Sequence, residues 1–455
     1  MARAKKGAAL TPEERLQAAL VPDWEWPYKL PENWCWTTVG AINQYVGISA
    51  DPTKAKNKTF ELYSVPSSAD NYPEIVLGAD IGSTKQSVKK GDVLLCKINP
   101  RINRVWKVSK YTDHSLLASS EWIVIRNSGL ISNYLMWCFR SPYFRGYMLS
   151  NVSGVGGSLM RAQPKFVQGY PVPVPPLAEQ QRIVDRIESL FAKLDEAKEK
   201  AQAVVDSFET RKAAILHKAF TGELTAKWRE EHGVGMESWK KKSVGELCIS
   251  LKYGTAKKSD ASGNVVVLRM GNLQQGEIDW SDLAYSNDPD DIEKYKLFPG
   301  DVLFNRTNSA ALVGKTAIYR GEHPAIYAGY LIKLDYDHDK IIGDYLNYAL
   351  NTLDAKKYCN SVKTDGVNQS NINAKKIGAY SFNVPSIPEQ EKIVSVIQKL
   401  LSKEQQTKEA AEIVLDQIEL MKKSILARAF RGELGTNDPS EESAVELLKR
   451  GLEKK

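Results

Sequence analysis

Two copies of one unit follow each other along this chain, and the duplication limits its possible folds more than any other feature. PLAEQQRIVDRI, which starts at Pro176, recurs as SIPEQEKIVSVI from Ser386. RKAAILHKAFTGEL, which starts at Arg211, recurs as MKKSILARAFRGEL from Met421, so both pairs are offset by 210 positions. Upstream, GDVLLCKIN matches GDVLFNRTN more weakly. The chain is therefore predicted to contain two related units, each with a divergent front and a similar back.

The back of each unit has the pattern of a long helix. Apolar residues recur at alternating steps of four and three, which is the heptad spacing of a coiled coil. The predicted contact residues are Ile183, Ile187, Leu190, Leu194, Ala197, Ala201, Val204 and Phe208 in the first copy, and Ile393, Ile397, Leu400, Ala411, Val414 and Ile418 in the second. Tandem copies related by a two-fold axis favour antiparallel pairing of the helices. The alternative is a helix that is exposed to solvent and packs only on its own domain.

Two polar residues interrupt these apolar rows, namely Arg211 in the first copy and Glu404 in the second. The pattern identifies no partner for Glu404. The front of each unit mixes short runs rich in Val, Ile and Leu, typical of strands, with amphipathic helical segments. We therefore expect an α/β (α+β) fold with two similar domains, separated by two long helices that pair as an antiparallel coiled coil.

At about 100–200 residues per domain, 455 residues suit two or three domains. The tail that closes the chain is charged, and we expect it to be exposed or bound to a partner. The predicted segments are an N-terminal tail (1–30), a first front domain (31–175), a central helical spacer (176–222), a linker (223–236), a second front domain (237–385), a C-terminal helical spacer (386–434) and the charged tail (435–455).

Composition excludes several classes of protein. The five cysteines are scattered, which is typical of buried thiols in a reducing cytosol, and no apolar stretch approaches the ~18 residues of a membrane span. The five histidines show no metal-ligand spacing, and no phosphate-binding loop or nucleophile elbow is present. We expect a cytoplasmic protein without catalytic residues, metal or cofactor of its own. The formal net charge of +7 permits a nucleic-acid partner without requiring one.

The candidate functional residues are polar and lie in loops of the front domains. Arg can bond guanine bidentately, and Asn or Gln can bond adenine, so loops rich in these residues suit the reading of base edges. Lysines there would contact phosphates. The alternative is that these residues serve only turns and solvent. The candidates are Lys97, Asn99, Arg101, Asn103, Arg104, Arg161, Gln163 and Lys165 in the first copy, and Asn305, Arg306, Asn308, Lys363, Asn368, Gln369 and Asn371 in the second.

With these features in place, the chain resembles the specificity subunits of type I restriction-modification enzymes. The resemblance rests on the Glu-Gln pair that opens each helix, on the closing Ala-Phe-x-Gly-Glu-Leu of both copies, and on LTAKWRE after the first. The second copy departs from the opening pattern, because Ser386 stands where the first copy has Pro176.

The resemblance implies a DNA-binding subunit that is not an enzyme. Two target recognition domains would each read one half of a bipartite DNA sequence, and the paired helices would set the gap and dock two modification subunits. The implied partners are double-stranded DNA, those methyltransferase subunits and restriction/translocase subunits, and the partners would use S-adenosylmethionine, ATP and Mg. Two alternatives remain open: a divergent DNA methyltransferase, to which Asn99-Pro100 points weakly, and a coiled-coil protein adaptor.

Overall fold

The computed structural model describes residues 11–127, 129–154, 160–367 and 369–453. The chain forms two compact units, of which the first contains Met1–Lys200 with Val414–Lys455 and the second contains Ala201–Ile413. Each unit thus combines one front domain with the beginning of one long helix and the end of the other. Antiparallel pairing of the long helices explains why each unit contains parts of both, because it places the end of each helix beside the beginning of its partner.

The first front domain is built mainly from short strands. A five-stranded sheet has the order β2-β5-β8-β3-β4, a three-stranded sheet has the order β7-β6-β9, and β1 pairs antiparallel with β12. Its strands are β1 (Cys35–Thr38), β2 (Ser49–Ala50), β3 (Thr59–Tyr63), β4 (Glu74–Leu77), β5 (Lys85–Ser87), β6 (Val93–Cys96), β7 (Val105–Lys107), β8 (Ser115–Ala118), β9 (Trp122–Ile125), β10 (Val152–Ser153), β11 (Arg161–Ala162) and β12 (Pro171–Val174). Its helices are α1 (Pro12–Ala19), α2 (Val39–Ile42), α3 (Ser132–Arg140), α4 (Pro142–Ser150) and α5 (Pro164–Val167).

The first long helical segment follows directly and consists of α6 (Leu177–Asp206) and α7 (Phe208–Phe220). The sequence predicts one continuous helix here, but the structure interrupts it at Ser207. The Ser207 hydroxyl bonds the carbonyl of Ala203 one turn earlier at 2.5 Å. Such a bond to the preceding turn is a known cause of helix bending.

The second front domain repeats the plan of the first. A four-stranded sheet has the order β14-β23-β19-β21, and β13 pairs antiparallel with β26 just as β1 pairs with β12. Its strands are β13 (Lys240–Ser243), β14 (Cys248–Tyr253), β15 (Val265–Leu268), β16 (Leu273–Gln274), β17 (Glu277–Ile278), β18 (Tyr285–Ser286), β19 (Val302–Asn305), β20 (Thr307–Asn308), β21 (Thr316–Ile318), β22 (Ala325–Tyr327), β23 (Leu331–Tyr336), β24 (Thr364–Asp365), β25 (Ser370–Asn371) and β26 (Ser381–Val384). Its helices are α8 (Ala226–Glu231), α9 (Val244–Leu247), α10 (Pro289–Lys294), α11 (Gly343–Leu350), α12 (Leu353–Val362) and α13 (Ala374–Gly378), and the chain ends with α14 (Ile387–Ala429) and α15 (Ala444–Glu453).

The Glu-Gln pair that opens each long helix ties it to its surroundings in the same way in both copies. The Gln180 side chain accepts from the backbone N–H of Ile131 at 2.9 Å, and Gln390 accepts from that of Ile342 at 3.0 Å. The preceding glutamates bind the segment that follows the other helix, since Glu179 accepts from the Thr436 hydroxyl at 2.6 Å and Glu389 from the Thr225 hydroxyl at 2.7 Å. The motif is therefore explained by tertiary hydrogen bonds of buried side chains.

The long helices pair antiparallel, as the sequence predicts. In the first unit, Lys198 Nζ lies 2.7 Å from Glu419 Oε1, and Lys422 pairs with Asp195. In the second unit, Arg211 Nε lies 2.5 Å from Glu404 Oε2. Lys408 Nζ lies 5.1 Å from the ring centroid of Phe208 in the same unit, so in both units the residue numbers of α14 fall as those of the first helix rise. The two polar residues that interrupt the apolar rows are thus each other's partners.

The contact face of α14 differs from the predicted one in its second half. Val414 is 40% exposed, so its assignment to the helix contact is wrong, and Leu415 is the half-buried residue there. The covered positions Glu404, Lys408, Ala411, Leu415 and Ile418 keep the alternating steps of four and three, so one of the two rows lies one residue later than predicted and passes through Leu415. The other predicted contact residues are buried or half-buried. Those that begin each helix, Ile183, Ile187, Ile393 and Ile397, belong to the cores of the front domains.

The C-terminal tail corrects another expectation, since it is not simply exposed. Ala444 and Leu448, one turn apart on α15, are buried in the core of the first unit. Helix α1 contacts α15 there, and a capping box of Thr11 and Glu14 begins α1. Among the described helices, none has the length and apolar character needed to cross a membrane.

Candidate nucleic-acid interface

The two candidate loops of the first domain lie side by side. The loop of residues 97–104 follows β6, and residues 160–165 lead into α5. Asn99 N donates to the carbonyl of Met160 at 2.8 Å, and Ala162 N donates to that of Lys97, also at 2.8 Å. These backbone bonds join the loops into one surface, which we call the first loop surface. The sequence predicts each loop separately but does not predict that they meet.

The second domain builds the same arrangement. The loop of residues 306–310 follows β19, and β20 in this loop pairs antiparallel with β25, so that Thr307 lies opposite Asn371. The Asn371 amide donates to the Thr307 hydroxyl at 2.8 Å, and Ile372 N donates to the carbonyl of Arg306 at 2.8 Å. We call residues 305–310 with 363–367 and 369–371 the second loop surface. Asn368, one of the sequence-predicted residues, lies outside the described residues.

Several candidate side chains reach solvent on the first loop surface. Arg101 and Lys165 are exposed, and the Lys165 ammonium lies 4.7 Å from the ring centroid of Phe166. Arg161 is exposed and lies 3.4 Å from Glu121 in a surface ion pair. Lys97, Arg104 and Gln163 are half-buried. The surface therefore offers mainly cationic groups, together with the half-exposed apolar side chains of Ile102 and Phe166.

Two asparagines of this surface shape the loop. Asn99 and Asn103 have left-handed backbone conformations, with φ of 46° and 52°, and flank a single turn of 3-10 helix at Pro100–Ile102. Asparagine tolerates this conformation better than most residues. The Asn103 amide donates to the carbonyl of Arg140 at 3.1 Å, and Asn99 Oδ1 is buried. Both side chains therefore point into the fold rather than toward a nucleic acid.

On the second loop surface, Arg306 is held by an aromatic side chain that the sequence does not reveal. Its guanidinium lies 4.8 Å from the ring centroid of Tyr253, and its Nη1 donates to the carbonyl of Gly329 at 3.2 Å. Tyr253 is 40% exposed, and its hydroxyl accepts from Ala374 N at 2.9 Å. Because Tyr253 belongs to a distant strand, β14, no local pattern could identify it. Stacking of this kind orients a guanidinium.

The remaining candidate residues of this surface differ in their exposure to solvent. Asn305 is completely buried, and its Oδ1 accepts from Thr307 N at 3.2 Å, so it supports the loop and presents no atom at the surface. Lys363 is only 16% exposed, and its ammonium donates to the carbonyl of Ala310 at 2.9 Å. Asn308 and Asn371 are half-buried, and Gln369 is exposed.

Four of the five cysteines are buried, and Cys248 is half-buried. Burial raises the pKa of Cys35 and Cys248 to about 12 and that of Cys359 to about 11, so these thiols stay protonated at neutral pH. Among the described residues, no group of three or more His, Cys, Asp and Glu side chains is placed to hold a metal ion.

Comparison with known proteins agrees with this architecture. Residues 236–414 match the family model "Type I restriction modification DNA specificity domain". The chain is 27% identical over 306 residues to the StySPI specificity subunit of Salmonella potsdam and 28% identical over 321 residues to the EcoKI specificity subunit of Escherichia coli K12. In these comparisons the chain is similar to type I specificity subunits. The matches cover 66% and 68% of this chain, and 65% and 68% of the two relatives.

Solved structures show the same fold. A chain from a study of complex assembly and conformational transition in a type I restriction-modification system aligns with a TM-score of 0.73 and 21% identity. The HsdS subunit of Thermoanaerobacter tengcongensis aligns with a TM-score of 0.61 and 22% identity. Both alignments cover 90% of this chain and 100% of the other chain.

Proposed function

We propose that this chain is a type I specificity subunit that reads a bipartite DNA sequence, with one half-sequence bound by each loop surface. The observation that carries the proposal is that two divergent domains build the same pair of hydrogen-bonded loops at the same place. Arg101 and Arg161 on the first surface, and Arg306, Asn308, Gln369 and Asn371 on the second, offer the groups that recognise base edges.

The long helices would separate the two readers and dock two modification subunits, which carry out adenine methylation. Two features support this assignment. The helices are similar in sequence where the front domains differ, so they can present equivalent surfaces to two copies of one partner. Many charged side chains remain exposed along them, such as Lys193, Glu199 and Lys403. This chain itself would carry out no catalysis.

Exchange of residues 31–175 for the corresponding domain of a relative tests the proposal. In cells that express the chain with its modification subunit, methylome sequencing should show one altered half-sequence and one unchanged. The reciprocal exchange of residues 237–385 serves as the control and should alter the other half only. If both halves changed in either exchange, or if neither did, the assignment of one half to each domain would be wrong. S-adenosylmethionine binding by the purified chain alone would favour the methyltransferase alternative instead.

A further inference from the structure

Three lysines of the second unit converge on one cavity. Lys212 of α7, Lys315 before β21 and Lys356 of α12 line a space of about 490 Å³. Lys212 and Lys315 are half-buried, and Lys356 is exposed. Burial lowers the pKa of Lys212 and that of Lys315, and the neighbouring Lys356 ammonium lowers both further, whereas Glu209 and Glu277 raise the pKa of Lys212. Lys356 is thus close enough to each of the other two lysines to repel it.

Neutral oxygens contact the ammonium groups of Lys212 and Lys315. Lys212 Nζ donates to the side chain and the carbonyl of Gln275, at 3.0 and 3.2 Å, and Lys315 Nζ donates to the Gln274 side chain at 2.9 Å. Among the ion pairs between described residues, none includes any of the three lysines, and Glu209 is the only acidic residue in the wall. Positive charge therefore exceeds negative charge in a partly desolvated space, which favours an anion.

The cavity adjoins the second loop surface. Asn305 N donates to the carbonyl of Lys315 at 2.8 Å, and Gly314 N donates to that of Asn305 at 2.9 Å. The loop of residues 306–314 therefore begins and ends beside Lys315, and residues 311–315 form part of the cavity wall. A duplex bound to this loop would bring its phosphates near the lysines.

Two of the three positions also carry a cation in the first domain. Arg104 corresponds to Lys315, because Cys96 N donates to its carbonyl at 3.0 Å across β6 and β7. Arg145 corresponds to Lys356, because each is the fourth residue after a helix cap, Ser141 or Thr352. The two domains would read different bases but would meet the same phosphate backbone. Charge that persists at matched positions of divergent domains thus fits a phosphate contact.

We propose that Lys212, Lys315 and Lys356 form a binding site for a phosphate group of the DNA backbone. The third cation, Lys212, distinguishes the two copies. The 210-residue offset matches Lys212 to Lys422, and Lys422 is paired with Asp195. The position equivalent to Asp195 beside α7 is occupied by the uncharged Gln405. Lys212 is therefore free to reach the cavity, where Gln275 holds it from a turn with positive φ at Gln275 and Gly276. This inference rests on the proposed DNA-reading function.

Salt dependence of DNA binding tests the site. The full chain, assembled with its modification subunits, is titrated with its cognate duplex and with an unrelated duplex over a range of salt concentrations. Lys212→Ala, Lys315→Ala and Lys356→Ala should each weaken binding to both duplexes about fivefold and reduce the slope of log Kd against log salt by about one. Lys315→Arg and Lys356→Arg, which copy the first domain, should retain wild-type binding. Lys357→Ala, the neighbour outside this cavity, is the matched control.

The outcomes distinguish a failure of the proposed phosphate site from a failure of the proposed DNA-reading function. If the wild type discriminates between the duplexes and the three alanine variants behave like Lys357→Ala, the phosphate site is wrong and the proposed function stands. If the variants bind DNA normally but no longer retain the modification subunit, the cavity binds protein carboxylates. That outcome also contradicts the proposed phosphate site. If the wild-type assembly does not discriminate between the duplexes, the proposed function itself fails. Thermal unfolding of each variant checks that the fold is intact.

Discussion

Arg101 and Arg306 occupy matching loops but are held differently, and this difference predicts different mutational effects. Arg306 is fixed by the Tyr253 ring and by the carbonyl of Gly329, whereas Arg101 is exposed. Arg306→Ala should relax discrimination at one base position by about 1–3 kcal/mol. Tyr253→Ala should reduce it partially, because the guanidinium loses its orientation, and Tyr253→Phe should preserve it. Binding to duplexes with single-base substitutions measures these effects. Wild-type selectivity of Arg306→Ala would remove this arginine from the interface.

Arg101→Ala should relax discrimination in the other half-sequence and leave the half read by the second domain unchanged. The same set of substituted duplexes measures both halves at once. The exposed guanidinium of Arg101 must become ordered on binding, so its contribution should fall at the lower end of about 1–3 kcal/mol. A change in the half that Arg306 affects would contradict the assignment of one half to each domain.

Glu61 is a buried carboxylate that stabilises the first domain in a pH-dependent way. Burial by itself would raise the pKa of Glu61, but hydrogen bonds outweigh it and hold this pKa below 4.5. The donors are the hydroxyls of Tyr63 and Thr112, at 2.7 and 2.8 Å, and the backbone N–H groups of residues 111 and 112. Glu61→Gln should lower the free energy of unfolding by about 2–3 kcal/mol at neutral pH, because an amide cannot accept all these bonds.

The sign of the pH effect follows from the lowered pKa of Glu61. The carboxylate binds protons more weakly in the folded state, so its stabilisation is complete above pH 4.5 and is lost as the pH falls through the folded pKa. The difference between wild type and Glu61→Gln should therefore shrink on acidification. Urea unfolding followed by tryptophan fluorescence measures this difference, since Trp106 and Trp122 share an apolar cluster with Tyr63. A difference that is constant down to acidic pH would show that the ionised carboxylate is not the stabilising form.

At the scale of single residues, the sequence indicates which types of side chain occupy the loops but not how far each is exposed to solvent. Asn305 and Arg306 are neighbours in one motif, yet the first is fully buried and the second reaches the surface. The exposure of each side chain depends on the alternation of side chains at the end of the strand and on the positions of distant residues such as Tyr253. Local patterns contain neither kind of information, because both depend on how remote strands pair.

The long helices are the most predictable elements. The heptad repeat predicts both helices and the duplication favours their antiparallel sense, but the pattern predicts neither the break at Ser207 nor which of two neighbouring rows is covered. In α14 one covered row runs through Lys408 and Leu415, one residue after the predicted row, which leaves Val414 exposed. Val414→Gln should therefore change the thermal unfolding temperature little, whereas Ile418→Gln, at a buried contact position, should lower it clearly. Equal effects of the two substitutions would contradict the observed contact face.

The Arg211–Glu404 pair fixes the alignment of the helices in the second unit. The Arg211 guanidinium bonds Glu404 and also donates to the carbonyl of Val204 at 3.1 Å, and both charged side chains are largely covered. Removal of one partner leaves the other charge without compensation, so Arg211→Leu or Glu404→Leu should each cost about 1–3 kcal/mol. The double variant should cost less than the sum of the two. A double-mutant cycle of unfolding free energies measures the coupling, and additive effects would show that the pair contributes none.

At the scale of the whole molecule, the duplication explains why each unit needs both halves of the chain. The buried Glu389 of the second unit binds Thr225 and Arg229, which follow the first helix, and the buried Glu179 of the first unit binds Thr436, which follows the second. The sequence shows the repeated motifs, but their purpose is a tertiary contact between segments more than 150 residues apart. Only the fold reveals it.

The antiparallel alignment also determines how the spacing between half-sequences should be changed. Since Lys198 faces Glu419 and Asp195 faces Lys422, a heptad inserted before Ala197 must be matched by one inserted before Met421 to keep the helices paired. Seven residues lengthen a helix by about 10 Å, or about three base pairs of DNA. Methylome sequencing should then show both half-sequences unchanged and the gap about three base pairs longer, or no methylation if the assembly cannot adapt. A heptad inserted before Ala197 alone is the control and should abolish activity. An unchanged gap with full methylation in the paired insertion would show that the helices do not set the spacing.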